Sequence, residues 1–256
     1  MRQQDFIANN ARNTGNFTGA NSKSGPKPNR SKTLSKKYGE GVTTIYNQEQ
    51  PMPSQRETLL NLIATLSFKL GDFTLASGQK SDYYIDCRTT TLHAEGGRLA
   101  GLVFYDLIRQ HFPQTEGVGG LTMGADPLVS NTASASAWHA IEQGQNPADP
   151  AAKLLQGFLV RKAEKTHGTG RRIEGFLKKG AQVVIVDDVC TTGGSTITAI
   201  ESARESGMNV AGVLCLVDRE QGGRANIEAA ASGAPFISVF TASDVRAAHI
   251  ALKQGH

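Results

Sequence analysis

The sequence predicts an α/β fold in which a central, mostly parallel sheet is flanked by helices. Three observations lead there. Apolar strand-like runs alternate with helical segments along the second half of the chain, the rhythm of strand, helix and parallel strand. Runs such as Val183-Val184-Ile185-Val186 lack polar alternation, as strands covered on both faces do. The length of 256 residues suits one medium-sized α/β domain or two small ones, about 150 residues per domain being the usual guide.

The elements follow in chain order. Residues 1–50 are rich in Asn, Ser, Gly, Thr and Lys, hold only 12 hydrophobic residues, and show neither helical nor strand periodicity. A segment so poor in apolar surface cannot offset its ordering entropy, so 1–50 reads as a disordered basic extension and 51–256 as the folded domain. Ser54 and Glu57 have capping-box spacing, and Leu59, Leu62, Ile63 and Leu66 repeat at helical intervals, so an amphipathic helix begins at this point. Phe73-Thr74-Leu75 and Tyr83-Tyr84-Ile85 flank a polar turn and read as a short hairpin. A second helix is expected from Glu95 to Gln110, burying Leu99, Leu102, Val103, Phe104 and Leu107. Strands are then expected at Val118–Thr122, Gly157–Val160, Gln182–Asp187, Val210–Val217 and Pro235–Phe240, with helices near 127–143, 194–206, 223–231 and 243–253. Residues 144–155, with two prolines and a glycine, read as a connecting loop.

Composition narrows the function classes. No run reaches the roughly 18 apolar residues of a membrane helix, and the N-terminus lacks the apolar region of a secretory signal, so a cytoplasmic protein with no membrane partner is expected. Cys87, Cys190 and Cys215 show no C-x-x-C spacing, which argues against a zinc cluster or a disulfide framework. The net charge of +4 invites a nucleic-acid reading, but it is unevenly placed. Residues 1–50 hold eight basic and three acidic side chains, a balance of +5, while the other 206 residues stand at −1. The folded part is therefore not a basic binding surface, and nucleic acid is not an expected partner.

Chemistry concentrates in the run Asp187-Asp188-Val189-Cys190-Thr191-Thr192-Gly193-Gly194-Ser195-Thr196. A buried strand ends in two carboxylates, passes through hydroxyls and glycines, and enters a helix, which is where open α/β sheets bind ligands. N–H groups at a helix start, with the hydroxyls of Thr191, Thr192, Ser195 and Thr196, form an anion site for a phosphate monoester. Asp187 and Asp188 repel phosphate and suit ribose hydroxyls, or a Mg²⁺ shared between the sugar and a second phosphate. Together they indicate a phosphorylated sugar. The glycine spacing fits neither a P-loop nor a dinucleotide fingerprint. A second cluster, Arg161, Lys162, Lys165, His167, Arg171 and Arg172, lies on a glycine-punctuated loop after a strand, where it can close over a polyanion.

The Asp187–Ser195 run is similar to the phosphoribosyl pyrophosphate motif of type I phosphoribosyltransferases. Arg161-Lys162-x-x-Lys165-x-His167-Gly168 resembles the catalytic loop of the orotate phosphoribosyltransferases among them. The likeness runs from about Phe73 to Asp244 and includes Leu75-Ala76-Ser77-Gly78 and Asp218-Arg219. It implies the type I fold, with a small N-terminal hood and a flexible catalytic loop, and a Mg²⁺-dependent transfer of phosphoribose to orotate by a homodimer with shared active sites. It further implies that Thr191, Thr192, Gly193, Gly194 and Ser195 cradle the 5′-phosphate, that Val189 and Cys190 belong to the same substrate-binding run, and that Asp187 and Asp188 hold the ribose; since this transfer requires no covalent nucleophile, Cys190 itself reads as a packing residue. Arg161, Lys162, Lys165 and His167 would bind pyrophosphate, and Thr191 and Arg219 would contact orotate. Many members carry lysines where this chain has Ala76 and Gly124; Lys80 and Arg88 are the expected substitutes. The Asp-Asp run by itself also admits a purine or other base as acceptor, or a regulator that senses phosphoribosyl pyrophosphate and binds RNA.

Overall fold

A computed structural model describes residues 53–74, 78, 80–162 and 172–255. The N-terminal extension, Ala76, Lys165, His167 and Arg171 lie outside the described residues.

The first helix, α1 (Gln55–Leu62), starts as its capping box requires, with Ser54 and Glu57 exchanging side-chain and backbone bonds, and runs into a π-helical turn, Ile63–Ser67. An antiparallel hairpin follows, β1 (Phe68–Thr74) and β2 (Lys80–Ile85), in which Phe68 faces Ile85 and Thr74 faces Lys80. It begins five residues earlier than expected, because exposed Lys69 and Leu70 interrupt the apolar pattern that would mark a strand. A short helix α2 (Arg88–Thr91) precedes α3 (Ala94–His111), whose N-cap is His93. The buried face of α3 includes Leu99, Val103 and Phe104 as expected, but Leu102 and Leu107 are only half-buried and Ile108 takes the inner position.

The central sheet is built from β3 (Gly117–Leu121), β4 (Gln156–Val160), β5 (Ile173–Gly175), β6 (Gln182–Cys190), β7 (Asn209–Asp218) and β8 (Phe236–Thr241), in the order β5-β4-β3-β6-β7-β8. All neighbours are parallel except the antiparallel pair β4 and β5. The crossovers are α4 (Asp126–Glu142), α5 (Gly194–Glu205) and α6 (Gly223–Ala230), and α7 (Ala242–Gln254) closes the chain. β5 was not expected. Three residues carry no periodicity of their own, and its strand identity comes from pairing with β4, Val160 against Ile173.

The unpatterned strands are explained by two cores, one on each face. Val184, Val186, Leu214 and Leu216 pack with Leu59, Phe104 and Leu128 on one side. Val183, Ile185, Val213 and Cys215 pack with Ile200, Ala203 and Ile227 on the other. Burial on both faces is what an apolar run without alternation requires. Among the described residues, no helix is long and apolar enough to cross a membrane, and all three cysteines are free and buried.

Candidate active site

β6 runs three residues beyond its expected end, pairing Cys190 with Asp218 of β7, so Asp187 and Asp188 stand inside the strand rather than at its end. Their carboxylates are held locally: Asp187 Oδ1 accepts from Asp188 N at 3.0 Å, and Asp188 Oδ1 from Val189 N at 3.0 Å. Thr196 donates its hydroxyl to Asp187 Oδ2 at 2.7 Å. This corrects the expectation that Thr196 joins the anion site; its side chain is buried and turned to the carboxylate. Asp187 is 7% exposed. Burial, and then the neighbouring charge of Asp188, pushes its pKa up to about 7 against the opposing bond from Thr196. Asp188 is also raised, chiefly by burial, with Val189 N–H and the Arg88 charge working against the rise.

Beyond Cys190 the chain turns through half-buried Thr191 and exposed Thr192 into α5, capped by Gly193 at φ 85°. That left-handed conformation disfavours other residues, and a Cβ there would also lie 2.7 Å from Ile227 Cγ1. The first N–H groups of α5 have no carbonyl one turn back to bond, and those of exposed Gly194 and Ser195 are the ones open to an outside acceptor. Cys190 is 1% exposed, and a Cβ on Gly223 would meet its sulfur at 2.3 Å; it fills the space beneath the start of α6.

A cleft of about 300 Å³ is lined by Asp187, Asp188, Val189 and Ser195 together with Tyr84, Asp86, Arg88, Thr122, Met123, Gly124 and Lys162. A larger cavity of about 650 Å³ at the opposite end of the sheet holds none of this chemistry, and its charged Arg109 and Glu116 are engaged with backbone carbonyls and Lys178.

Of the loop cations, Lys162 reaches the cleft, whereas Arg161 sits at the loop's neck: its N–H donates to Arg172 O at 2.8 Å and its guanidinium pairs with Glu174 at 3.3 Å. Arg88 lies in the cleft, held by Asp86 through two 2.8 Å bonds, while Lys80 donates to Thr74 at 2.9 Å and does not line the cleft. Gly124 accounts for one missing lysine, because a Cβ there would stand 2.4 Å from Asp188 Oδ1. Arg219 follows β7, its N–H donating to Cys190 O at 2.8 Å. Sequence reasoning missed Tyr84 and Asp86, whose only signal was membership of a hairpin strand and the turn after it.

A parallel sheet with an acid pair and an open helix start at the carboxyl ends of its strands defines a phosphoribosyltransferase, and the family model for the phosphoribosyl transferase domain matches residues 151–241. The chain is 41% identical over 194 residues to an orotate phosphoribosyltransferase of Aquifex aeolicus, covering 75% of this chain and 97% of the relative, and 40% identical over 197 residues to one of Synechocystis, covering 77% and 91%. The solved orotate phosphoribosyltransferase of Mycobacterium tuberculosis in complex with Fe(III) dicitrate superposes with a TM-score of 0.61 at 36% identity, over 75% of this chain and 99% of that one. The same enzyme in complex with phosphoribosyl pyrophosphate gives 0.58 at 32%, over 75% and 99%. This chain belongs to the orotate phosphoribosyltransferase family. It transfers the 5-phosphoribosyl group from phosphoribosyl pyrophosphate to orotate, giving orotidine 5′-monophosphate and pyrophosphate in UMP biosynthesis.

Proposed function

We propose that the Asp187–Ser195 segment and the loop after β4 divide this reaction between them. The observation that carries the reading is one cleft that sets the buried carboxylate of Asp187 and the half-buried one of Asp188 beside the exposed start of α5 and the cations Lys162 and Arg88. The 5′-phosphate sits on the turn from Thr191 through Ser195, including Thr192, Gly193 and Gly194, with Val189 and Cys190 at the end of β6 leading into it, and Asp187 and Asp188 hold the ribose hydroxyls. As the bond from C1′ to pyrophosphate loosens, positive charge develops on the sugar and negative charge on the leaving group. The carboxylates favour the first; Lys162, with Lys165 and His167 from the loop, favours the second. Arg161 fixes the loop's neck. Thr191 and Arg219 receive orotate, a guanidinium being the natural bidentate partner of its carboxylate.

Mg²⁺ suits this donor set. Among the described residues no three ligands stand together, and two carboxylates beside a phosphate seat match an ion held largely through substrate oxygens. When bound, Mg²⁺ supplies charge that stabilises the leaving pyrophosphate. Residues 51–256 form the catalytic domain, which works in the cytoplasm as a homodimer whose loops complete each other's sites.

Loss of orotate absorbance with phosphoribosyl pyrophosphate and Mg²⁺ tests the assignment. Replacing one charge that acts in the transition state, as in Asp188→Asn or Lys165→Ala, should lower kcat by about 100-fold or more. Full activity in both variants would rule out the roles of these two side chains. Arg88→Ala should raise the KM for phosphoribosyl pyrophosphate about tenfold, the loss of one charge-assisted contact, while Lys80→Ala leaves it in place.

A further inference from the structure

Arg219 is 8% exposed, yet among the described residues no carboxylate lies within ion-pair range of it. The adjacent Asp218 turns to Arg224 at 3.7 Å and to Glu220 N at 2.9 Å. A buried guanidinium without a counter-ion is costly, and the side chains that this one touches are neutral. Its carbon lies 4.9 Å from the centre of the Tyr83 ring, Nε reaches Tyr83 Oη at 3.5 Å, and Nη2 reaches Ser81 Oγ at 3.5 Å. Nη1 has no partner among the described residues. The ring is itself fixed. Phe68, 2% exposed, stacks on it at 5.5 Å with 19° between planes, and Phe68 rests in turn against His249 at 5.1 Å. Arg246 lies 5.8 Å from the same ring and is anchored by Asp82.

We propose that Tyr83, assisted by Ser81, is a positioning residue that holds the Arg219 guanidinium oriented through neutral contacts alone, with Nη1 open, for the carboxylate of the acceptor base. An aromatic face stabilises a cation without occupying its N–H donors. A carboxylate partner would do the opposite, stabilising the charge while filling the fork that a planar anion must enter. The ring therefore allows a buried arginine to await an anionic base, and an uncharged pyrimidine would leave that charge unpaired. The backbone bond from Arg219 to Cys190 places this seat against the phosphate loop, and Tyr84, the next residue of the same strand, lines the cleft. The inference rests on the proposed contact between Arg219 and orotate.

Steady-state kinetics on the full chain separates the two. Tyr83→Leu is expected to raise the KM for orotate about tenfold while that for phosphoribosyl pyrophosphate stays within about twofold, the loss of one desolvated cation–π contact. Tyr83→Phe, which keeps the ring, should restore orotate KM to within about threefold of the parent, the hydroxyl contact being long. A merely structural role would disturb both substrates alike and would not be rescued selectively by Phe. Should Tyr83→Leu fail to fold, Tyr83→Met offers similar bulk without a ring and is read in the same way. If the ring-free variant leaves orotate KM unchanged while Arg219→Ala raises it, the positioning role is overturned and the Arg219 assignment stands. If Arg219→Ala changes neither constant, the assignment falls, and this inference with it.

Discussion

Asp187 lies near the carboxyl end of the central strand β6 with its oxygens bonded to Asp188 N–H and Thr196, and burial raises its carboxyl to about 7 from an ordinary 3.8. Between those pH values the folded chain binds a proton that the unfolded chain has lost. Its contribution to stability is therefore complete below pH 3.8 and fades as pH rises through about 7. In chemical denaturation without substrate or metal, the parent should lose stability across that window, and Asp187→Asn should show a flatter profile. A slope identical in both would place the titrating group elsewhere. At position 124 the close approach of Asp188 makes a different prediction. Gly124→Lys, although it installs a residue found in relatives, should displace Asp188 and lower kcat rather than tighten phosphoribosyl pyrophosphate. The glycine was legible in the sequence as a departure from the family pattern; the carboxylate that forbids a side chain there was not, because residues 124 and 188 meet only through the β3 and β6 pairing.

At the scale of elements, the turn from β6 into α5 combines a left-handed Gly193 with an uncapped helix start. Gly193→Ala carries both the cost of positive φ and a collision with Ile227, so it should lower stability by about 2 kcal/mol or more, measured by urea denaturation, and should raise the KM for phosphoribosyl pyrophosphate. The long amphipathic helices and the apolar strands were readable because their periodicity spans enough residues to be seen locally. β5 and α2 were not, being three and four residues long. The pairing shows why this matters: once β5 lies against β4, Val160 faces Ile173, Arg161 just beyond the pair is spent on Glu174, and Lys162 is directed into the cleft.

At the scale of the whole molecule, two apolar cores sandwich the sheet, and Ile185 is wholly buried in one of them. Ile185→Ala should cost about 2 to 5 kcal/mol in equilibrium unfolding, the usual range for such a truncation. The shared-site proposal predicts complementation. Mixing inactive Lys165→Ala and Asp187→Asn chains under subunit exchange should recover roughly a quarter of parental activity, since half the dimers are mixed and each of those has one intact site. No recovery would mean that each chain uses its own loop. The sequence by itself determined the α/β class, the acid pair followed by an open helix start, and the reaction family, because those signals are contiguous: a strand, a turn and a helix start are written within fourteen residues. Only the tertiary structure decided which distant groups converge on them. Tyr83 and Arg219 are 136 residues apart in the chain, and Arg88 rather than Lys80 enters the cleft. The buried carboxylate of Asp187 likewise owes its raised pKa to the layers packed over it. Contacts of this kind follow from strand order and burial, which no local pattern encodes.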